Sequence, residues 1–339
     1  MNFILKKNGY FNIAETEFIN DPKLSFIYWG SLVVDNLVGP VGCSGMDDLK
    51  VLSFKKGRSE AIERRALMAG GHENSHNLVP YYNLIDQSIG EIDIKYTRYS
   101  LDKEFFSDTT GTACHFTSEQ AVYKALTELL EKNCLFLFWY GKLGQKIHIT
   151  EKNEYVSTLM NKGYDVDIFE VDVFAPFYTY VTVVHNNEDF IYTYGVTGDL
   201  NKEHAIQKSV QEAYLLSLKT EFENYAYSAY ESEQNKHIQF INWLKTFNQT
   251  IKHMSVADDK QQYTVQDIID HLPDWIEEMN VVLLKTTVNY TKSTVLVFSR
   301  DLYNHIPLKS AINPNIKINR KTVNISEEDI LTIPECMVR

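Results

Sequence analysis

One stretch of the sequence decides the fold, and its first half has a second copy further along the chain. Residues 111–142 read GTACHFTSEQAVYKALTELLEKNCLFLFWYGK, and a shift of 84 positions places the first half on residues 195–213, GVTGDLNKEHAIQKSVQEA. The shift matches Gly111, Glu119, Ala121, Lys124 and Glu128 with Gly195, Glu203, Ala205, Lys208 and Glu212. Such a repeat predicts two copies of one unit, a glycine-bearing loop that leads into a helix. The alternative is a chance likeness between two amphipathic helices.

Both predicted helices have a polar face. At about 100° per residue, Lys124, Glu128 and Glu131 project from the side opposite the apolar stripe of the first helix. Lys208 and Glu212 lie in the same way on the second helix. On most helices such a face is solvated, and an exposed Lys–Glu pair contributes only a few tenths of a kcal/mol. From the spacing alone, surface pairs are therefore favoured.

A third helix is predicted near residues 59–69, and it carries a pair of carboxylates. Glu60 and Glu63 lie three positions apart on one helix face, and Glu128 and Glu131 repeat this spacing. Crowded carboxylates repel each other unless a cation lies between them, and their oxygens suit Mg²⁺. Because Mg²⁺ usually keeps water and substrate phosphates as further ligands, glutamates near basic residues indicate a metal–nucleotide site. The P-loop pattern GxxxxGK[ST] is absent from the sequence.

The composition narrows the classes of function. The chain has 339 residues, of which 44% are hydrophobic, and 21 Tyr and 18 Phe argue for a folded protein. A net charge of −12 disfavours partners with phosphate backbones or anionic lipids, so we expect neither nucleic acid nor a membrane as a partner. The four cysteines show no CxxC spacing and indicate reduced thiols. No signal peptide or spanning segment is visible, so we expect a cytoplasmic protein.

Strand and helix patterns alternate along the whole chain. Alternating or apolar runs predict strands, whereas a period of 3.6 predicts helices. The predicted strands are 92–99, 178–184, 190–194, 281–287 and 294–298; the predicted helices are 59–69, 118–132, 203–227 and 264–278. No linker rich in Pro, Gly or Ser divides the sequence, so no domain boundary is visible.

Three segments together resemble a known family. SEAIERR at 59–65, residues 111–142 and YGVTGDLNKEHAIQKSVQEA at 194–213 are similar to the nucleotide-binding segments of the YcaO family. The overall pattern most resembles the short cyclodehydratase subunit of microcin-type thiazole/oxazole synthetases, including W-x-G-K at Trp139–Lys142. The resemblance implies a single α+β YcaO-like domain over residues 1–339, with sheets packed on helices and a nucleotide-binding portion at about 50–220. It also implies ATP and Mg²⁺ as cofactors.

The resemblance assigns roles to individual residues, although it leaves the catalytic residues unknown. The carboxylates that match the ligands of Mg²⁺ and the phosphates are Glu60, Glu63, Glu128, Glu131 and Glu212. Arg64 matches the arginine that follows the first pair, and a planar guanidinium suits bidentate contact with phosphate. Lys124 and Lys208 are further candidates for phosphate contact; the alternative is that they only neutralise neighbouring glutamates.

The sequence departs from the family pattern in four places. Lys56 stands where the family often has a serine, so Ser53 or Ser59 would have to replace it, and Ser59 is assigned to the nucleotide. Leu215 stands where a glutamine is common, which implies one contact fewer to the nucleotide, and Lys132 replaces an arginine. The chain ends Ile-Pro-Glu-Cys-Met-Val-Arg, whereas many cyclising members end in a proline-rich tail.

The resemblance also implies a reaction and partners. The reaction is cyclodehydration of Cys, Ser or Thr in a ribosomally made precursor peptide that carries a leader. At 339 residues we expect a separate E1-like subunit to bind the leader, and an FMN-dependent dehydrogenase is a further partner. Two alternatives stay open: a YcaO-type enzyme that forms a thioamide or amidine, and a non-catalytic scaffold subunit.

Other motifs allow competing interpretations. His72-Glu73-Asn74-Ser75-His76 satisfies H-E-x-x-H, which binds zinc only on a helix. Gly70-Gly71 before it and Pro80 after it favour a loop. Cysteine or serine nucleophiles lack a supporting signature. His115 is expected to be a loop histidine, and the apolar run Leu135–Tyr140 to be a core strand or helix end.

Overall fold

The computed structural model describes residues 3–4, 9–11, 23–28, 30, 32–34, 36–40, 42–102, 106–150, 153–186, 191–227, 234–255, 261, 263–286 and 291–336. At 3–4, 9–11, 191–192, 219–227 and 234–237 it describes the backbone alone.

Strands and helices alternate within these residues. The strands are β1 (Phe3–Ile4), β2 (Gly9–Phe11), β3 (Lys23–Tyr28), β4 (Val33–Val34), β5 (Leu37–Val38), β6 (Gly42–Asp47), β7 (Leu78–Asn83), β8 (Ile89–Asp93), β9 (Thr112–His115), β10 (Gln145–Ile149), β11 (Tyr164–Phe174), β12 (Phe177–Asn186), β13 (Ile191–Asp199), β14 (Lys252–Met254), β15 (Asn280–Leu283) and β16 (Ser293–Phe298). The helices are α1 (Lys50–Ala69), α2 (Ser118–Gly141), α3 (Glu154–Asn161), α4 (Lys202–Tyr227), α5 (Gln234–Leu244), α6 (Val265–Ile269), α7 (Lys317–Lys321) and α8 (Glu327–Thr332), with short 3₁₀ helices at Ile94–Thr97 and Lys309–Ala311. No described helix has the length and apolar character needed to cross a bilayer.

The chain divides into two compact units. Unit 1 comprises Met1–Leu129 and Ile276–His305, and unit 2 comprises Leu130–Trp275 and Ile306–Arg339. Unit 1 contains sheets of order β1-β2-β3-β6 and β8-β7-β15-β16-β9, both antiparallel, and the hairpin β4-β5. Unit 2 contains one sheet of order β13-β12-β11-β10-β14, in which only the β10–β14 pair is parallel. The predicted α+β class with largely antiparallel sheets is confirmed.

In unit 1, helix α1 is the element on which the strands pack. It contacts β3 and β6 as well as β9 and β16. The contact with β6 is close because Gly45 has no side chain: a Cβ there would overlap the Ser53 carbonyl oxygen and lie 2.7 Å from the Gly57 nitrogen. The other end of α1 buries Ala66 and Leu67 in a core that includes Val282, Leu296 and Phe298. Burial of these apolar side chains fixes the direction of the polar face of α1.

In unit 2, helix α4 packs on β13 and β12 in the same manner. Here a Cβ on Gly195 would overlap the Ser209 carbonyl oxygen and lie 2.5 Å from the Ala213 nitrogen. The buried Ser209 hydroxyl lies 2.8 Å from Thr182 Oγ1, so the polar atoms of this tight crossing satisfy each other. Ile206 and Val210 face Ile147, Ile168 and Tyr180 of the sheet.

The run Leu135–Tyr140 is the C-terminal end of α2 and is wholly buried, as expected. The Trp139 ring stacks on Phe240 with ring centroids 4.2 Å apart, and its Nε1–H donates to the Pro334 carbonyl at 2.8 Å. Tyr140 donates to the Pro307 carbonyl at 3.0 Å. The segments around Pro307 and Pro334 are thereby attached to the helix end. The W-x-G-K sequence is thus a structural anchor within unit 2.

Several local predictions are wrong in detail. His115, expected in a loop, is the last residue of β9, and the helix predicted at 118–132 continues to Gly141 as α2. A strand is predicted at 92–99, but β8 ends at Asp93. The Asp93 carboxylate accepts a hydrogen bond from the Lys95 N–H and starts a 3₁₀ helix there. The 264–278 helix is limited to Val265–Ile269, since Pro273 follows one turn later. Helix α1 begins nine residues before Ser59, at Lys50. The predicted strand 281–287 ends at Leu283 in the structure. Residue 287, the last of that predicted strand, and Phe190, the first of the predicted strand 190–194, lie outside the described residues.

A buried ionic cluster in unit 2 gives a pH-dependent contribution to stability. Glu170 is 4% exposed and accepts hydrogen bonds from Tyr180 at 2.6 Å and Lys252 at 2.9 Å, with Lys202 at 3.4 Å. Burial alone would raise the pKa of Glu170, but these hydrogen bonds and the lysine charges outweigh it and lower the pKa. Because the folded-state pKa lies below the unfolded one, the stabilisation is present above about pH 4.5 and is lost as the pH falls through the folded-state pKa.

We therefore expect Glu170→Gln to lower the free energy of unfolding at pH 7 by about 2 kcal/mol. The variant should also lose less stability than the unsubstituted protein when the pH falls below about 4.5. Urea unfolding at pH 7 and pH 4 measures both effects, and Glu154→Gln, at an exposed site in the same unit, is the control. Equal pH dependence in the two variants would contradict this assignment.

Candidate active site

Two glutamates of α1 are held by backbone N–H groups of strands in unit 1. Glu60 Oε2 accepts a hydrogen bond from the Ser44 N–H of β6 at 2.6 Å. Glu63, one turn further along α1, accepts from the Cys114 N–H of β9 through Oε1 at 2.8 Å. Both side chains are partly buried. The backbone therefore fixes each carboxylate through one oxygen, so the direction of the other oxygen is also set.

The Arg64 guanidinium group forms hydrogen bonds with other residues of unit 1. Its Nη2 lies 2.6 Å from Glu60 Oε1, and its Nη1 donates to the Gly42 carbonyl oxygen. Both oxygens of Glu60 thus have protein donors, whereas Glu63 has a hydrogen-bond donor at only one oxygen among the described residues. The Arg64 Nε–H is buried and has no hydrogen-bond partner in the part of the chain that the structure describes. An orphaned N–H beside a carboxylate pair indicates a site that is incomplete without a polar ligand.

Unit 2 contains a second pair of anchored glutamates. Glu131 Oε1 accepts from the Gly198 N–H at 2.9 Å, and Glu212 Oε2 accepts from the Val196 N–H at 2.7 Å. Both donors belong to β13. Gly198 and Cys114 are related by the same 84-position shift that relates α4 to α2, so the sequence repeat is a structural repeat of strand, short loop and helix. Gly195 differs from the prediction, because it lies inside β13 rather than in a loop.

The electrostatics of both carboxylate pairs favour a bound cation. Burial, with the neighbouring charge of Glu60, raises the pKa of Glu63 to about 7. Burial, with the charges of Glu212 and Asp199, raises the pKa of Glu131 to about 8. The Cys114 and Gly198 N–H groups partly oppose these shifts. Carboxylates crowded in this way hold their protons until a cation compensates their charge.

The basic residues assigned from the sequence take different positions. Lys124 is exposed on α2, and its charge acts to lower the pKa of Glu63. The pKa of His115 is lowered by burial and, to a smaller extent, by the charges of Lys124 and Lys292. Lys208 is partly buried, and its Nζ lies 3.1 Å from Gln211 Oε1. Glu128 is partly buried, one helical turn from both Lys124 and Glu131.

Ser53 and Ser59, the two serines considered for contact with the nucleotide, differ in burial and in hydrogen-bond partners. Ser53 is fully buried, donates to the Gly45 carbonyl and contacts Ser25 Oγ, so it belongs to the packing of α1 against β6. Ser59 is partly exposed, and Lys292 Nζ donates to its Oγ at 2.5 Å. Ser59 therefore stays the candidate for nucleotide contact. Lys292 itself was missed, because no motif surrounds it in the sequence.

The zinc interpretation fails on geometry. Residues 72–74 have no regular structure and 75–76 form a turn, with His72 and His76 exposed. Glu73 forms an ion pair with Lys285. In the described part of the chain no three His, Cys, Asp or Glu side chains are placed to hold a metal ion by themselves.

Comparison with known proteins identifies the class. Residues 46–294 match the family described as YcaO cyclodehydratase, ATP- and Mg²⁺-binding. The chain therefore belongs to the YcaO family, and it is an enzyme of the class that uses ATP and Mg²⁺. This confirms the resemblance found in the sequence.

Solved structures share the fold at low sequence identity. A chain of the E. coli microcin synthetase McbBCD complex superposes with a TM-score of 0.70 at 16% identity, covering 97% of this chain and 96% of that chain. The YcaO protein of Methanopyrus kandleri, solved with AMPPCP and Mg²⁺, gives 0.67 at 10% identity, with 87% and 86% covered. A heterocyclase in complex with substrate and cofactor gives 0.66 at 14% identity, with 87% and 49% covered. A search among curated proteins gives no significant match.

Proposed function

We propose that the chain is the ATP-dependent cyclodehydratase subunit of a peptide-modifying complex. It forms thiazolines or oxazolines from Cys, Ser or Thr residues of a ribosomally made precursor peptide. The observation that carries the proposal is the set of four glutamates held by strand N–H groups, which are Glu60, Glu63, Glu131 and Glu212. These residues occupy the positions at which the sequence resembles the nucleotide-binding segments of the family.

The proposed reaction requires that an amide oxygen leave. A thiol or hydroxyl of the peptide attacks the preceding carbonyl, and the oxygen of that carbonyl is a poor leaving group. ATP supplies the phosphoryl group that makes it a good one. The glutamates hold Mg²⁺, while Arg64, Lys124, Lys208 and Ser59 contact the phosphates. Because the backbone orients the carboxylates in advance, little reorganisation is needed as charge develops.

Within this proposal each unit contributes its own carboxylates. Unit 1 contributes Glu60, Glu63 and Glu128, and unit 2 contributes Glu131 and Glu212. The binding of Mg²⁺ and phosphate by these residues stays a prediction for each unit. Leu215 leaves the third helix with one polar contact fewer than the family pattern implies, so the other glutamates and the basic residues are expected to provide most of the binding.

The proposed partners follow from the resemblance and from the complexes of the structural neighbours. The E. coli neighbour is a complex of several subunits and was also solved with its pro-peptide bound. We propose a precursor peptide with a leader, a separate E1-like subunit that binds the leader, and an FMN-dependent dehydrogenase that oxidises azolines to azoles. We place the reaction in the cytoplasm, where the four free, buried cysteines would stay reduced.

Mass spectrometry of a coexpressed precursor peptide tests the proposal. Each ring formed removes one water from the peptide, and the loss should require ATP and Mg²⁺. The matched control omits ATP from the purified complex. A product in which sulfur or nitrogen replaces the amide oxygen without ring closure would instead support the thioamide or amidine alternative. A chain that binds no ATP in the presence of Mg²⁺ would be a scaffold, and the proposal would be wrong.

A further inference from the structure

Lys292 is a buried cation that none of the sequence motifs predicts. It directly precedes β16, and the antiparallel register pairs Ser293 with His115 of β9, so Lys292 lies beside Phe116. The residue is 8% exposed, which is rare for a lysine without an ionic partner. All these residues belong to unit 1.

The contacts of the Lys292 ammonium group are neutral. Its Nζ donates to Ser59 Oγ at 2.5 Å and lies 4.6 Å from the centroid of the Phe116 ring. Among the described residues no carboxylate lies within ion-pair distance of it. An ammonium group has three N–H donors, and a hydroxyl and an aromatic face satisfy only part of this capacity. A buried charge without a counter-ion is costly, so such a site is suited to an anion from outside the chain.

Other cations of unit 1 act on Lys292 in addition to its burial. Burial lowers its pKa, and the like charges of Arg58 and Lys55 on α1 act in the same direction. Cys114 and Glu63 shift the pKa of Lys292 in the opposite direction. Lys292 and Lys124 both help to lower the pKa of His115, after burial as the main cause. Several cations of unit 1 thus act on the same small region around Ser59.

We propose that Lys292 binds a phosphate group of the nucleotide and thereby acts as a nucleotide-binding residue of this enzyme. The inference rests on the proposed function, since ATP supplies the anion. Ser59 orients the ammonium group through its hydroxyl, and the Phe116 ring shields the ammonium from water. The remaining N–H donors of Lys292 form charge-assisted hydrogen bonds with the phosphate oxygens. This contact compensates in part for the departures at Lys56 and Leu215.

Calorimetric titration of the full-length protein with ATP in MgCl₂ tests the proposal. We expect Lys292→Met to weaken ATP binding at least about tenfold, whereas Lys292→Arg stays within about threefold of the unsubstituted protein. Titration with adenosine should give the same affinity for all of these proteins, because adenosine has no phosphate. Lys95→Met is the matched control, since Lys95 also lies over an aromatic ring, 4.9 Å from that of Tyr96, but is exposed.

Thermal unfolding separates this role from a purely structural one. Without nucleotide, Lys292→Met should unfold at the same temperature as the unsubstituted protein or at a higher one, because a buried uncompensated charge is removed. With Mg²⁺ and ATP it should lose most of the ligand-induced increase in Tm. Unchanged ATP affinity of Lys292→Met would overturn the inference and leave the proposed function intact. If the unsubstituted protein itself binds no ATP, the proposed function fails first.

Discussion

Replacing Glu63 by glutamine is expected to reduce peptide-dependent phosphate release at least about 100-fold while the fold is retained. The glutamine carbonyl can still accept the hydrogen bond that Cys114 N–H now donates to Glu63 Oε1 at 2.8 Å, so the position of β9 on α1 is kept. The variant loses only the negative charge, which is the property that the proposed Mg²⁺ site requires. Phosphate release in the presence of the precursor peptide measures the loss. We expect the same result for Glu128→Gln.

The control for this prediction lies on α2. Glu119 is exposed in the first turn of that helix, and Glu119→Gln should leave phosphate release unchanged. Circular dichroism and the melting temperature check that the fold is retained. Removal of a partly buried carboxylate with a raised pKa should not lower the melting temperature near neutral pH. Full turnover by both Glu63→Gln and Glu128→Gln would remove these residues from the active site.

Gly45→Ala is expected to destabilise the protein by about 3 kcal/mol or more, because the new methyl group would overlap the backbone of α1. The Ser53 carbonyl oxygen and the Gly57 nitrogen are main-chain atoms and cannot rotate away as a side chain would. Relief of the overlap requires α1 to move from β6, which also breaks the hydrogen bond between Ser44 N–H and Glu60. Urea unfolding measures the loss of stability, and nucleotide binding should weaken in parallel.

Gly42→Ala in the same strand is the matched control. Apart from the residues next to Gly42 in the chain, no described atom lies within 4 Å of the position that a Cβ would take there, so the same substitution meets open space. We expect a change in the free energy of unfolding of less than about 0.5 kcal/mol, as for ordinary surface substitutions. Equal destabilisation by the two alanines would show that the contact with α1 does not explain the effect, since the lower entropy of the unfolded chain alone would favour alanine at both positions.

The sequence predicts well those features that depend on local periodicity. Helices α2 and α4 begin at Ser118 and Lys202, which are related by the 84-position shift. The polar faces on which Glu131 and Glu212 lie follow from the 3.6-residue period, because the apolar stripe must pack on a sheet. The burial of Trp139 at the end of α2 follows in the same way from the apolar run around it.

The features that the sequence does not reveal depend on pairing between distant segments. Lys292 approaches Ser59 only because β16 pairs with β9, and nothing near Lys292 in the sequence indicates this register. Gly195 was expected in a loop, yet it is required inside a strand because α4 passes so close. The boundary between the two units falls within α2, after Leu129, where a continuous helix gives no change in composition.

In the proposed site, the hydrogen bonds that hold the glutamates would also restrict which ion can bind. A carboxylate that gives one oxygen to a strand amide, as Glu63 gives Oε1 to Cys114, has a single oxygen left for a metal. Ca²⁺ commonly binds both oxygens of a carboxylate and has six to eight ligands in all. Mg²⁺ binds one oxygen of each carboxylate and has a smaller, octahedral coordination shell. Discrimination between these two ions would then originate in the sheet hydrogen bonding of β9 and β13, and not in the size of a cavity.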